Sequence, residues 1–262
     1  VQLRAGRDAT LSVVIPAYNE EVRLPSLLEK LATEGDAAAA DAGLRLREVL
    51  IVDDGSTDRT RELLEAAAAA DERLRPVFAY DRNRGKGAAF AAGALRAEGD
   101  YVLLADVDLS TPLGELGKLT AAIEAGADIA IGSRAVAGAI VERGPVHRKV
   151  LGNTFNGAVR AITGLRVRDT QNGFKLFPTD AVQRYAAQQI SQGFAFDVEL
   201  LMRAQREGLR IAEIPILYLH DARSSVRVVS ASPRMLREVA TLAYRLRKGS
   251  GAADSADIVR PA

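Results

Sequence analysis

The stretch YVLLADVD, Tyr101–Asp108, decides how this chain folds. Tyr101 to Ala105 is a short continuous apolar run, the mark of a strand buried on both faces. Asp106-Val107-Asp108 follows it at once. Two carboxylates one residue apart at a strand end can hold a hard divalent cation and the phosphates bound to it. Alone, the pattern D-x-D is as well read as a turn, because Asp favours turns. Its place after a buried strand, opposite other acidic strand ends, favours the cation.

Those other ends lie upstream. Leu11–Ala17 (LSVVIPA) reads as a buried strand and is followed by Asn19-Glu20. Glu48–Val52 (EVLIV) reads as a second strand, closed by Asp53-Asp54-Gly55-Ser56-Thr57-Asp58. Helical spacing at Leu24–Leu31, a helix capped by Asp58 and running to Ala70, and a small-residue helix over Ala88–Ala97 separate the strands. Val77–Tyr80 and Ile129–Gly132 complete the set. Strands alternating with helices predict an α/β fold with a mostly parallel sheet flanked by helices. In such sheets ligands bind beyond the carboxyl ends of the strands, so three acid-bearing strand ends converge on one crevice.

The second half is less regular. It predicts helices over His147–Thr163, Phe196–Arg206 and from Ser232-Pro233 through Arg247, a strand over Phe174–Phe177, and extended chain over Ile211–Leu219. No internal repeat and no linker between domains is evident. The expected division is an N-terminal extension (1–10), one domain (11–248) with two halves (11–132 and 133–248), and a disordered tail (249–262).

Composition narrows the functions. With Cys 0 and His 2, a disulfide framework, Cys-ligated zinc, a thiol nucleophile and a His-rich metal site are excluded. A net charge of +1 and 5% aromatics argue against a nucleic-acid partner. No apolar run approaches the ~20 residues of a membrane-spanning helix, and residues 1–10 lack a signal-peptide core. The chain is therefore expected to be soluble as given, with peripheral membrane contact open. The missing initiator Met points to an incomplete or processed N-terminus. Asn83-Arg84-Gly85-Lys86-Gly87 is not a P-loop, although glycines before a helix allow a phosphate to approach and Lys86 can reach a diphosphate.

IPAYNEE (Ile15–Glu21), VDDGSTD (Val52–Asp58), NRGKGAA (Asn83–Ala89) and DVDLSTP (Asp106–Pro112), in that order, resemble the inverting family 2 glycosyltransferases of the GT-A fold. GSR (Gly132–Arg134), RDTQNGFKLF (Arg168–Phe177), FAFDVELL (Phe194–Leu201) and EIPILY (Glu213–Tyr218) are similar to the dolichyl-phosphate or polyprenyl-phosphate glucosyltransferase branch. The resemblance covers about residues 11–247. It implies that Pro16, Tyr18 and Glu20 line the nucleotide pocket with Asp53 on the base, that Lys86 and Asp106 complete donor binding, and that Asp106 and Asp108 hold Mg²⁺ or Mn²⁺. Arg134, Gln171, Asn172 and Gly173 are then placed near sugar and acceptor. Asp108, Arg134 and Asp197 are the implied catalytic set. The phosphomannosyl branch usually carries Gln two residues after the second Asp; Ser110 stands there and favours the glucosyl branch.

Two departures bear on the acceptor. Phe194 stands where the family often has Trp, and Ser225 stands where it tends to have Lys, so the phosphate-binding charge passes to Arg223 or Arg227. Arg143 and Arg148 are further candidate acceptor cations, and His220 has a small claim through its near-neutral titration.

The chemistry separates two acceptors. A sugar hydroxyl needs a general base, for which Asp197 is the candidate. A phosphate monoester, with a second pKa near ~6, is already mostly dianionic at neutral pH and needs cations instead. The expected reaction is inverting transfer of a hexose, glucose from UDP-glucose, onto a polyprenyl or dolichyl phosphate. The alternatives are mannose from GDP-mannose, or a soluble acceptor such as a phosphorylated small acid or a saccharide hydroxyl. The last helix carries Met235, Leu236, Val239, Leu242, Ala243 and Leu246 on one side and Arg234, Arg237, Arg245 and Lys248 on the other. It reads as docked on the core or as resting on anionic lipid at the cytoplasmic face of a membrane. On the second reading it is dispensable for nucleotide-sugar binding. Oligomeric state is not legible.

Overall fold

The computed structural model describes residues 9–142, 146–219 and 233–248, with side chains left out of the description at 146–151 and 153. Arg143, His220, Arg223, Arg227, Ser232, the tail 249–262 and the side chains of His147 and Arg148 therefore lie outside the described residues.

The chain runs β1 (Thr10–Ala17), α1 (Leu24–Asp41), β2 (Arg45–Asp53), α2 (Thr60–Ala70), β3 (Leu74–Phe78), α3 (Lys86–Ala94) and β4 (Tyr101–Leu104). It continues through a short 3₁₀ turn to α4 (Leu116–Glu124), β5 (Ile129–Ser133), β6 (Ile140–Val141), α5 (Val146–Thr163), β7 (Lys175–Pro178) and α6 (Thr179–Ala187). It ends with α7 (Phe196–Arg206), β8 (Ile211–Pro215), β9 (Leu217–Tyr218) and α8 (Pro233–Arg247). One seven-stranded sheet has the order β3-β2-β1-β4-β7-β5-β8, and β6 pairs with β9 in a small separate ribbon.

β1 pairs in parallel with β2 on one side and β4 on the other. The strand order thus reverses beside β1, and the crevice beyond the carboxyl ends of β1 and β4 is the switch point where such sheets bind ligands. Successive residues of β1 serve opposite layers: Val13 and Ile15 join the cluster that includes Leu24, Leu27 and Leu119, while Val14 joins the one with Phe90, Phe155 and Phe196. That two-sided burial explains why the strands read as unbroken apolar runs.

α3 lies directly on the sheet. A methyl group on its Gly93 would come within 2.6 Å of Val14 and 2.8 Å of Val52. The run KGAAFAAGA is therefore small because the backbone approaches closely, not because the segment is loosely built.

The sheet is mostly parallel, as expected, with β7 antiparallel to both β4 and β5. The structure corrects other expectations. α1 extends ten residues past Leu31, to Asp41, and α4 and α6 were not foreseen. Met235, Val239, Leu242, Ala243 and Leu246 of α8 are all buried, in the same cluster as Phe155 and Val159 of α5. α8 is a core helix. Met235, Val239, Leu242 and Leu246 each contribute about 1.5–3 kcal/mol by leaving water, so the helix is not dispensable and its apolar face is not offered to lipid.

Candidate active site

The loops beyond β1, β2 and β3 are stitched to one another by backbone donors and short side chains. Asn19, at φ 53°, accepts from the Thr57 N–H at 2.8 Å and donates its own N–H to Ser56 Oγ at 2.9 Å. The Glu20 N–H reaches Thr60 Oγ1 at 2.7 Å, and Glu21 N–H reaches Asp58 at 3.1 Å. Asp58 also accepts from Thr60 N–H at 3.0 Å, opening α2. Much of VDDGSTD is therefore loop scaffolding. Asp53 is buried and accepts the Ser56 N–H at 3.1 Å. Pro16 is half-buried on β1 opposite Val52, and Tyr18 is exposed beside them.

Asp54, which sequence reasoning passed over, fastens the third loop. Its carboxylate accepts from Arg84 N–H at 2.9 Å and Gly85 N–H at 2.7 Å. The glycines of that loop serve packing rather than open space. A methyl group on Gly85, whose φ is +112°, would sit 2.5 Å from the Gln192 carbonyl, and one on Gly87 would sit 2.6 Å from Phe196 and 2.8 Å from the Ser191 carbonyl. The Ala88 N–H, in the first turn of α3, already donates to Gln192 O at 3.0 Å. These glycines thus seat a docked segment, 191–196, against the start of α3.

Beyond β4 the acidic pair comes into place. Leu109 N–H bonds to Asp106 O at 3.0 Å and Ser110 N–H to Asp108 Oδ1 at 2.9 Å. Leu109 itself is held at φ 43°, a conformation that costs about 1–3 kcal/mol for a side chain of this kind. Lys86 Nζ lies 2.7 Å from Asp106 Oδ1. Burial pushes the Asp106 carboxyl up, but Lys86, with help from Lys175 and Arg134, outweighs it and holds the group below the ordinary carboxylate range. Asp108 goes the other way: burial and the neighbouring Asp106 charge raise it. Arg23 approaches Asp108 at 3.9 Å and grips Glu20 through its Nε at 2.6 Å. Burial raises Glu20 in spite of that grip.

This donor set suits a divalent metal. Among the described residues no cluster of three His, Cys, Asp or Glu forms a protein cage. Two carboxylates, one of them raised by burial and by its neighbour's charge, instead match a cation that takes its remaining ligands from phosphate and water.

Residues of the second half assemble around the same point. Asp169, buried, accepts from the Arg134 backbone N–H at 3.0 Å and from its Nε and Nη2 at 2.7 and 2.9 Å. Arg134 also stacks over Tyr218 at 5.0 Å. Glu213 braces this unit, accepting from Ser133 Oγ at 2.8 Å and Asp169 N–H at 2.7 Å. Asn172 is buried, its Oδ1 accepting the Phe174 N–H at 2.8 Å while its Nδ2 has no partner among the described residues. Gln171 leans on Met235 of α8, 3.6 Å from its sulfur. Gly173 is pressed against Asp106: a methyl group there would collide with the carboxylate. Asp197 opens α7 as an ion-paired group, bonded to the buried Lys175. Asp169 and Lys175 were quoted within RDTQNGFKLF without a role. A buried Lys bounded by Phe and Leu is a signal of pairing, but its partner is remote in sequence.

The sequence signature described as Glycosyl transferase family 2 matches residues 12–191. A dolichyl-phosphate beta-glucosyltransferase of Trichomonas vaginalis is 33% identical over 250 residues, covering 90% of this chain and 74% of that protein. A polyprenol monophosphomannose synthase of Mycolicibacterium smegmatis is 32% identical, covering 79% and 76%. Among solved structures, glucosyl-3-phosphoglycerate synthase from Mycobacterium tuberculosis, in complex with Mn²⁺ and UDP-glucose, shares the fold with a TM-score of 0.60 at 22% identity, over 94% of this chain and 81% of that one. The chain belongs to glycosyltransferase family 2.

Proposed function

We infer that this family 2 glycosyltransferase moves a hexose from a nucleotide sugar onto a polyprenyl phosphate, with UDP-glucose as donor and Mg²⁺ or Mn²⁺ at Asp106 and Asp108. The likeness to a dolichyl-phosphate beta-glucosyltransferase over 90% of the chain supports the acceptor and the sugar. The observation that carries the reading is the state of Asp197. A hydroxyl acceptor needs a free base, and the carboxylate suited to that work is buried and bonded to Lys175. A phosphate acceptor is its own nucleophile.

When bound, the metal would stabilise charge on the departing diphosphate. The rest falls to the chain. Lys86 stands beside Asp106 and can turn to the diphosphate, adding a second positive charge where negative charge develops. Pro16, Tyr18, Glu20 and Asp53 border the crevice on the nucleotide side. Arg134, fixed by Asp169, presents a preorganised guanidinium on the acceptor side, where Gln171, Asn172, Arg143, Arg223 and Arg227 are proposed to complete phosphate binding. No helix among the described residues is long and apolar enough to cross a membrane. Contact with the bilayer is proposed as peripheral, at the cytoplasmic face, through exposed basic residues of α8.

The test is incubation with labelled UDP-glucose or GDP-mannose, Mn²⁺, and undecaprenyl or dolichyl phosphate. Glucose label entering the lipid phase is the expected result. Label confined to the aqueous phase, with 3-phosphoglycerate or a saccharide as the better acceptor, overturns it.

A further inference from the structure

Lys175 has no exposed surface, and nothing in the transfer so far employs it. Its ammonium donates to two acceptors, the carboxylate of Asp197 in the first turn of α7 and the carbonyl of Asn172. A lysine is buried to this degree only with a partner. Apolar residues of similar volume usually stabilise a core at least as well as a buried ion pair does, so stability alone is a poor account of this one.

Its neighbours suggest another. Gly173 follows the carbonyl that Lys175 holds, and the Gly173 backbone is packed so closely on Asp106 that even a methyl group would strike the carboxylate. Asp106 is also paired with Lys86, whose Nζ lies 2.7 Å from its Oδ1. Its position is therefore set between a cation and a stretch of backbone. The stretch is anchored from beneath by the Lys175–Asp197 pair and by the Asn172 Oδ1 bond to Phe174 N–H. The Lys175 charge also acts on Asp106 and Asp169, helping both stay ionised.

We propose that Lys175 is a positioning residue: bonded to Asp197 and to the Asn172 carbonyl, it holds the Gly173 backbone against Asp106 and so fixes where that carboxylate stands in the crevice. It carries no proton in the reaction and touches neither donor nor acceptor. Asp197, on this account, is the counter-charge that keeps Lys175 in place. The proposal rests on reading Asp106 as a metal-holding carboxylate, but not on the identity of sugar or acceptor.

The test replaces both partners at once, as Lys175→Met/Asp197→Leu. One positive and one negative charge leave together, so the net charge of the crevice is unchanged. The single variant Lys175→Met strands a buried carboxylate and is the weaker test. The probe is Mn²⁺ alone, with free ion followed by electron paramagnetic resonance, alongside thermal unfolding and the pH–rate profile of transfer. The double variant is expected to fold, to bind Mn²⁺ roughly 10–100-fold more weakly, the usual effect of losing an outer support of a metal ligand, and to lose ~10²-fold in turnover through misplacement, with the shape of its pH–rate profile unchanged. A folded double variant that binds Mn²⁺ as the parent does overturns the proposal. So does a double variant that fails to fold, because the pair then underpins the fold rather than the site. A parent that takes up no Mn²⁺ removes the premise and overturns it too. A parent that binds Mn²⁺ but transfers nothing to lipid phosphate fails the functional reading alone, and the Mn²⁺ comparison still decides the role of Lys175.

Discussion

Lys86 Nζ sits 2.7 Å from Asp106 Oδ1, while for Asp108, two residues further on, the nearest side-chain cation among the described residues is Arg23, at 3.9 Å. The two carboxylates of the pair are thus unequal: one is neutralised by the chain itself, and the other is raised by burial and by its neighbour. A divalent ion would offset that remaining repulsion.

Asp108→Ala is therefore expected to cut turnover at least ~10²-fold, the scale of losing a major electrostatic stabiliser, and to weaken Mn²⁺ binding in parallel. Initial rates with saturating donor check the first, and titration of Mn²⁺ checks the second. Near-normal activity in the variant, or full activity of the parent in EDTA, would remove the metal from Asp106 and Asp108.

The glycines of the third loop give a different kind of test. Gly87→Ala must push Phe196 or the Ser191 carbonyl aside, and overpacking of this sort costs about 1–3 kcal/mol. Because the displaced segment borders Lys86, donor KM should rise together with the fall in thermal midpoint. Gly114→Ala, where nothing lies within 4 Å of the added methyl, is the matched control and should change neither. A Gly87→Ala protein with parental stability would mean that segment 191–196 is not seated as described.

How far the site was legible follows from what each residue contacts. Asp106 and Asp108 could be read because a buried strand and its acidic end are adjacent in sequence. The parallel half of the sheet was legible for the same reason. β7 was placed correctly as a strand, but its direction was not, since nothing in KLFP records which neighbours it meets. Asp54 and Lys175 were missed because each acts on partners 22 to 31 residues away. The glycines of NRGKG carried a true signal of close approach, but the approaching group is the protein's own Gln192 carbonyl. α8 was amphipathic on either reading; only the packing of Val239 and Leu242 beside Phe155 and Val159 assigns its apolar face to the core.

The Arg134–Asp169 pair sets a pH dependence. Burial raises Asp169, but Arg134 outweighs it and leaves the folded-state pKa below that of the unfolded chain. A group of that kind contributes stability that is present above the unfolded value, ~3.9, and is lost as pH falls through the lower folded value. Asp169→Asn should therefore cost about 3 kcal/mol at neutral pH, the lower end for breaking a buried pair, because Arg134 remains partly exposed to water. Urea melts of parent and variant should differ by a constant amount from pH 8 to pH 5 and converge below pH ~4. A difference that instead grows on acidification would reverse the sign assigned to Asp169.

With the apolar side of α8 committed to the core, membrane contact through this helix must be electrostatic. Arg234, Arg237, Arg245, Arg247 and Lys248 are exposed, and Tyr244 lies among them at 58% exposure. Arg247 also donates to the Ile162 carbonyl at 3.0 Å and Lys248 lies over the Tyr244 ring at 4.9 Å, so Arg237 and Arg245 are the charges to test. Near an anionic surface each basic residue is worth ~1 kcal/mol, and the attraction falls off within a Debye length. Arg237→Glu/Arg245→Glu should weaken binding to anionic vesicles by on the order of 30-fold or more, since two contributions of that size are lost and two repulsions gained. The parent should bind such vesicles well at low salt and poorly at high salt, and neutral vesicles hardly at all, because the apolar face of α8 is buried. Leu242→Ala supplies the contrast. It should lower stability by about 2–5 kcal/mol as a core cavity while leaving the vesicle affinity of the folded protein unchanged. Sedimentation with vesicles of both compositions, at two salt concentrations, reads all of these outcomes. Equal partitioning to neutral and anionic vesicles would show insertion by a different surface, and no partitioning at all would leave the basic residues of α8 as a solvated face.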